Sequence, residues 1–440
     1  MGAFQENRLE ADWLSCDEAL ARILAHARPM AATSVAVSRA LGRCVSEPVR
    51  ARATLPAWRN SAMDGFAVRS GDLEGFRDGA MRLPVAGESY PGAVPLAGVP
   101  EGAAVRVMTG GPVPDGFDSV IRVEHTDGEV EPGVVVIRRS DDVGKHIRAA
   151  GKDMRAGDVT VSAGTVVHSG SLPVLLASGC DPVAVYRRPR VGVLSSGDEL
   201  VGIDRFDRVA AGRGVPDTNR AMMAAAVVEA GAVPVDLGVA ADSPGALLEK
   251  LDSVGDIDVL VTTGGASMGD RDLLKRVLLR LGFELEFWRA RVRPGSPVSF
   301  GHLPGEGTSL PVFGLPGNPA SAFVTFHVLV APYLRARLGS SRPRGTTVEA
   351  RTDTALSSPA GVTQFYRVRL SGNVGEEASG EAAAPEPAGR PGVLRCSLTG
   401  PQGSGLVRSL RDADGLAVVP EGVARVEQGE PVSVMLLPGR

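Results

Sequence analysis

The sequence predicts a multidomain α/β protein: a central doubly wound parallel sheet, a small all-β module before it, a helical and extended linker, and a second all-β module after it. Three observations carry this. Between residues 189 and 338, short apolar runs alternate with segments of helical period, the pattern of a parallel sheet with helices on both faces. Between 56 and 145, and again after Pro343, short alternating runs sit between Gly and Pro turns, as in small β modules. Residues 12–45 read as helical, with apolar positions at helical spacing through Asp17-Glu-Ala-Leu-Ala-Arg-Ile-Leu and Ser15 as N-cap.

The elements follow in order. Phe66-Ala-Val, Ala104-Val-Arg-Val-Met, Ser119-Val-Ile-Arg-Val and Val134-Val-Val-Ile are the strands of the small module. A helix begins near Ser171 and stops at Gly179. Strand Arg190–Ser195 then leads to a helix over Asp217–Ala230, capped by Asp217 or Thr218 and stopped by Gly231. Strand Val233–Val239 leads to a helix over Pro244–Val254 that Ser243 could cap, and strand Ile257–Thr263 to a helix over Asp270–Leu281 ending at Gly282. Strand Leu310–Gly314 leads to a helix over Ala320–Leu338. The stretch 375–392, rich in Ala, Glu, Pro and Gly, reads as a mobile loop without chemistry. The resulting division is 1–55 with 146–187 (linker), 56–145 (small β), 188–340 (α/β) and 341–440 (C-terminal β).

Composition narrows the function. Lys plus Arg number 47 and Asp plus Glu 51, a net charge of −4, which argues against an electrostatic nucleic-acid binder. Cys16, Cys44, Cys180 and Cys396 form no CxxC pair, which excludes a cysteine zinc cluster and a disulfide framework and fits a reducing cytoplasm. The first residues lack the apolar core of a signal peptide, and no stretch approaches the roughly 20 apolar residues of a membrane span. No HxH, HExxH, GxGxxG or P-loop pattern occurs, so histidine-ligated metal and dinucleotide readings have no support, and Ser195-Ser-Gly-Asp is not the GxSxG elbow of a hydrolase.

What remains sits at strand ends, where open α/β sheets bind ligands. Thr262-Thr-Gly-Gly-Ala-Ser-Met-Gly-Asp follows one strand; its glycines let backbone N–H groups approach an anion. Gly314-Leu-Pro-Gly-Asn-Pro-Ala-Ser joins the last strand to its helix and puts Ser321 in the first turn. Arg289, Arg291 and Arg293 alternate along an extended segment, so one face could meet a polyanion such as a phosphate ester; a protected edge strand would look the same. Asp64, Asp153, Asp198, Glu199, Asp242, Asp270 and Asp272 recur in turns, where carboxylates can hold Mg²⁺ or merely cap helices.

Taken in order, these segments resemble the molybdopterin molybdenumtransferase family (MoeA, and the E domain of gephyrin). The resemblance rests on Asn60-Ser-Ala-Met-Asp-Gly-Phe-Ala-Val, Val107-Met-Thr-Gly-Gly-Pro-Val-Pro, Gly151-Lys-Asp-Met, Leu194-Ser-Ser-Gly-Asp-Glu-Leu, Asp217-Thr-Asn-Arg, the Thr262 segment, Arg293-Pro-Gly-Ser-Pro and the Gly314 segment. It implies a MogA-like central domain, a barrel-like C-terminal domain, a homodimer, and the last step of molybdenum cofactor synthesis: adenylylated molybdopterin and molybdate as substrates, with Mg²⁺-dependent release of AMP. It further implies catalytic roles for Asp64, Asp153, Glu199 and Asp242, with Glu199 and Asp242 on the Mg²⁺ side. Thr109, Ser196, Gly264, Gly265, Ser267, Asp272 and Arg289 would bind the pterin nucleotide, and Arg293, Ser296, Pro297, Ser321, Arg367 and Ser404 molybdate. Asp64 and Asp153 would reach the partner subunit's pocket. Transient contacts with the molybdopterin adenylyltransferase and with cofactor-accepting enzymes are implied too.

The family usually carries Lys-Pro-Gly-Lys-Pro where this chain has Arg293-Pro-Gly-Ser-Pro, and lysine is common where Arg289 stands. These departures predict retuned oxyanion binding. A tungsten-inserting paralogue and a non-catalytic scaffold like gephyrin are the alternative readings.

Overall fold

The computed structural model describes residues 13–439 apart from 75, 77–78, 242, 244, 247–248, 251–254, 265–272, 306–308 and 373–393.

The first helix, α1 (Cys16–Ala25), begins at a capping box: Ser15 Oγ accepts the Glu18 N–H (3.2 Å), and Glu18 Oε2 accepts the Ser15 N–H (2.8 Å). It stops at Ala25, far short of the helix expected to residue 45. Pro29 follows within one turn of its end, and Ala32–Val35 leaves as a strand paired antiparallel with Val183–Tyr186. Val49–Arg50 pairs with Val159–Val161, so segments distant in sequence share one core of Val37, Val45, Val49, Val167, Leu175 and Val183. The helix Ser171–Ala177 ends as expected, with Gly179 at φ +74°.

Between these segments lies a five-stranded sheet. Gly65–Val68, Ala104–Val107, Ser119–Arg122 and Val134–Ile137 are strands as expected. The fifth, the nine-residue Met81–Ser89, is not among the expected strands and carries Pro84 and Gly87, residue types that weaken a strand pattern. A register shift between Val85 and Glu88 absorbs Gly87.

The central sheet comprises β1 (Arg190–Ser196), β2 (Val233–Ala240), β3 (Val259–Thr263), β4 (Glu284–Phe287), β5 (Ser299–Leu303) and β6 (Leu310–Leu315), in spatial order β2-β1-β3-β6-β5-β4. It is not wholly parallel. β2, β1, β3 and β6 run parallel, but β5 runs against both β6 and β4. The connection from β5 to β6 is too short for a helical crossover, and a hairpin is what such a link permits. Both faces are buried. Val191, Val193, Val261 and Phe313 pack under α1, the helix Asn219–Glu229 and the last helix, while Leu194, Leu260 and Val312 pack against Val277 and Leu278. This two-sided burial explains the continuous apolar runs.

The helix expected over Ala320–Leu338 forms in three parts: Pro319–Thr325, a π turn over Phe326–Val330, and Ala331–Arg337. Pro332 brings no N–H to the ladder, and the chain widens just before it.

The C-terminal strands close into a barrel. Thr363–Gly372 pairs with Leu394–Leu398, which pairs with Thr347–Thr352; Pro431–Leu436 and Gly415–Val419 follow, and Gly415–Val419 returns to Thr363–Gly372. The two-residue strand Val292–Arg293 joins its outside and couples the barrel to the central sheet.

Candidate active site

Four loops meet at the carboxyl ends of β1, β3 and β6. Ser195 Oγ donates to Asp217 Oδ1 (3.3 Å) and lies 3.1 Å from Thr263 Oγ1, tying β1 to β3 and to the start of the next helix. Gly264 follows at φ +88°, and a Cβ there would stand 2.3 Å from the Ser196 carbonyl oxygen, so only glycine fits. Beside it is Gly317, whose carbonyl accepts from Asn219 Nδ2 (2.7 Å). Glu199 is exposed, and its carboxylate has no hydrogen-bond or ion-pair partner among the described residues. Asp242, Gly265, Ser267 and Asp272 lie outside the described residues.

Asp217 does more than cap. It accepts the Arg220 N–H (3.3 Å), but it is also buried against Arg220 Nε (2.7 Å) and the Ser195 hydroxyl. Asn219 escaped sequence reasoning, although the Asp217 motif contains it. Its Oδ1 is buried with no partner among the described residues, which leaves an acceptor at the crevice wall.

A second group adjoins the first. Asn318 Nδ2 donates to Ser404 Oγ (3.2 Å) and the Ala320 N–H to the Ser404 carbonyl (2.9 Å), docking a barrel loop onto the first turn of the last helix. Behind that loop stands Arg367, fully buried. Its Nε and Nη2 donate to Ser409 Oγ (3.3 and 3.2 Å) and Nη2 to the Gly403 carbonyl (3.3 Å), while Nη1 has no partner among the described residues. A guanidinium normally goes inside only with a carboxylate. Burial pushes Arg367 down to about 10, so it still carries its charge at neutral pH.

The turn Arg293–Pro297 presses on the same helix. A Cβ on Gly295, at φ +118°, would meet Thr325 Cγ2 at 2.3 Å. Ser296 Oγ is buried with no partner among the described residues, Ser321 is buried, and Arg293 is exposed. The chain Arg367–Gly403–Ser404–Asn318–Ser321–Gly295–Ser296 is thus physically continuous. The three-arginine face is not formed. Arg289 lies over the Trp13 ring (5.0 Å), and Arg291 bonds Glu421 (3.1 Å) and the Trp13 carbonyl (2.5 Å). Both are held by the N-terminal region and the barrel, which period-two spacing could not reveal.

Asp64 and Asp153 stand on other elements. One oxygen of Asp64 accepts both the Thr109 N–H (2.6 Å) and the Thr109 hydroxyl (2.8 Å), and these bonds hold its carboxyl below the usual range. Asp153 lines a cavity of about 400 Å³ with Thr160, Pro173 and Val174.

Comparison with known proteins gives this architecture a class. Family models match in chain order: the MoeA N-terminal region (domain I and II) over residues 14–179, the "Probable molybdopterin binding domain" over 192–336, and the MoeA C-terminal region (domain IV) over 349–437. The matched order is that of a multidomain protein built around a probable molybdopterin binding domain of α/β fold. The chain belongs to the molybdopterin molybdenumtransferase (MoeA) family. It is 34% identical to molybdopterin molybdenumtransferase 1 of Mycobacterium tuberculosis over 96% of this chain and 99% of that protein. It is 31% identical to the molybdopterin molybdenumtransferase of Bacillus subtilis over 96% and 93%. A crystal structure of a molybdopterin biosynthesis MoeA protein from Pyrococcus horikoshii OT3 shares its fold, with a TM-score of 0.77 at 24% identity, covering 97% of this chain and 100% of the other.

Proposed function

We propose that this chain inserts molybdenum from molybdate into adenylylated molybdopterin and releases AMP. The observation that carries the reading is Arg367: a buried cation whose Nη1 has no partner, and which faces no carboxylate, among the described residues, behind the loop that sets Ser404 against the last helix. A site built this way suits a small dianion. Arg367, Ser404, Ser321, Ser296, Pro297 and the exposed Arg293 form the molybdate end. Ser196, Gly264 and the loops at the ends of β1 and β3 form the pterin-nucleotide end, with Gly265, Ser267 and Asp272 in the same segment. Arg289, stacked on Trp13, stands back from this group.

Each residue's task follows from its setting. Gly264 lets backbone reach the ligand where a side chain would block it. Glu199, exposed and uncommitted, is suited to promote cleavage of the phosphoanhydride. Mg²⁺ is the ion this chemistry implies, and an unpaired carboxylate at a strand end fits its preference for oxygen ligands; Glu199 would hold it with Asp242. When bound, the ion would offset phosphate charge in the nucleotide. Asp64, fixed in ionised form by Thr109, and Asp153 complete the pocket of a second subunit in a homodimer. The four-module division at residues 55, 145, 187 and 340 belongs to the same reading, as do a cytoplasmic setting and transient contacts with the adenylyltransferase and cofactor-accepting enzymes.

The test is to incubate the purified protein with adenylylated molybdopterin, Mg²⁺ and molybdate and to follow AMP. Molybdate-dependent release is expected. Absence of turnover would favour a scaffold, and turnover with tungstate alone a tungsten-inserting paralogue.

A further inference from the structure

At the opposite end of the central sheet from the crevice, three side chains with metal-ligand chemistry converge. His26 is the C-cap of α1, Glu286 lies on β4 and His302 on β5. Their ligating atoms all lie within 4.8 Å of one another, and His26 Nε2 is 3.2 Å from Glu286 Oε1. We propose that His26, Glu286 and His302 form a binding site for one divalent borderline metal ion of the Zn²⁺ type, clipping α1 to the edge of the central sheet.

Local structure builds this cluster. β4 and β5 pair Leu285 with Gly301 and Phe287 with Phe300, so Glu286 is the extra residue of a β-bulge. Bulges re-aim side chains, and this one brings a carboxylate beside two imidazoles. Arg22 Nη1 donates to the Glu286 carbonyl (3.0 Å), holding the bulge against α1. The rings of His26 and His302 are 4.6 Å apart, and Phe300 packs edge-on to both, at 5.8 and 5.1 Å. That aromatic floor restricts the imidazoles.

The ligand set decides the class of ion. Two imidazoles and one carboxylate suit Zn²⁺ and its neighbours, whereas Mg²⁺ prefers oxygen alone. A tetrahedron with bonds of about 2.0–2.1 Å has edges of roughly 3.3–3.5 Å, so the His26–Glu286 spacing already matches and His302 has at most about 1.5 Å to close. His26 and Glu286 side chains are 36% and 32% exposed, which leaves a fourth position open to water. A surface ion pair alone would explain His26 and Glu286 but not the buried His302 beside them.

The test uses the full-length protein, stripped with a chelator and held in excess Mg²⁺ to occupy oxygen sites. Zn²⁺ is titrated by calorimetry into wild type, His26→Asn and Glu286→Gln, with circular dichroism checking the fold; both substitutions are at the surface. The wild type should bind one equivalent of Zn²⁺, and each variant should bind at least about tenfold more weakly. Co²⁺ in place of Zn²⁺ should give tetrahedral visible absorption in the wild type only. Wild-type binding within twofold of both variants, or no binding, overturns the site. A loss confined to one variant overturns the three-ligand set.

Discussion

The Arg367 guanidinium rests on the Ser409 hydroxyl, with Nε and Nη2 at 3.3 and 3.2 Å, and no anion of the described protein answers its charge. Replacing Arg367 by Met keeps most of the volume and removes the charge together with the hydrogen bonds to Ser409 and Gly403. The expected result is a molybdate KM raised roughly tenfold to hundredfold, the worth of one or two charge-assisted hydrogen bonds. An unchanged KM in steady-state AMP release would move the oxyanion elsewhere.

Ser296 lies three residues after the exposed Arg293, and its hydroxyl is buried with no partner among the described residues. Ser296→Lys adds a cation near the exposed Arg293 and should tighten molybdate binding several-fold, about 1 kcal/mol. Calorimetric titration with molybdate and with tungstate measures this. Equal affinities in variant and wild type would remove Ser296 from oxyanion binding.

Asp64 and Glu199 are held by different modules, and this permits a test of the dimer. If Asp64 completes the partner's pocket, Asp64→Ala and Glu199→Gln chains should each be inactive alone. Mixed one to one and allowed to exchange, they should recover about a quarter of wild-type activity, because half the dimers would carry one intact site of two. Absence of recovery would place Asp64 in its own chain's site.

Asp142 is the electrostatic centre of the small sheet. Its side chain, 2% exposed, meets Arg122 at 3.0 Å, His125 at 2.8 Å and His146 at 3.0 Å. Burial works against ionisation, but the Arg122 side chain and N–H, then His146 and His125, outweigh it and hold Asp142 well below the usual carboxylate range. A lowered carboxyl stabilises the fold above its ordinary value of about 4, and the contribution is lost as pH falls through the folded-state value. Asp142→Asn should therefore destabilise this module by roughly 3–5 kcal/mol at pH 7 and flatten its acid sensitivity below about pH 4. Hydrogen exchange on the strands Gly65–Val68 and Ser119–Arg122 at several pH values measures both effects.

Local and periodic features were legible in the sequence alone. The Ser15 N-cap, Gly179, Gly231 and Gly282 at helix ends, the apolar strands β1, β2, β3 and β6, and the glycine-bearing turns at their carboxyl ends all follow from spacing and backbone chemistry. The ordered motifs from Asn60 to Ser321 were enough to point to the family. Relations between distant segments were decided only by the tertiary structure. The strand sequence of β5 does not say that it runs antiparallel, and nothing in Met81–Ser89 says that a bulge absorbs Gly87. Arg289 and Arg291 were drawn to Trp13 and Glu421 by segments far along the chain. The same holds for the buried, unanswered charge of Arg367 and for the meeting of His26 with Glu286 and His302. Hydrophobic period sets which face of an element is buried, whereas the partner of a charged side chain depends on which modules pack together. That packing is a property of the whole chain.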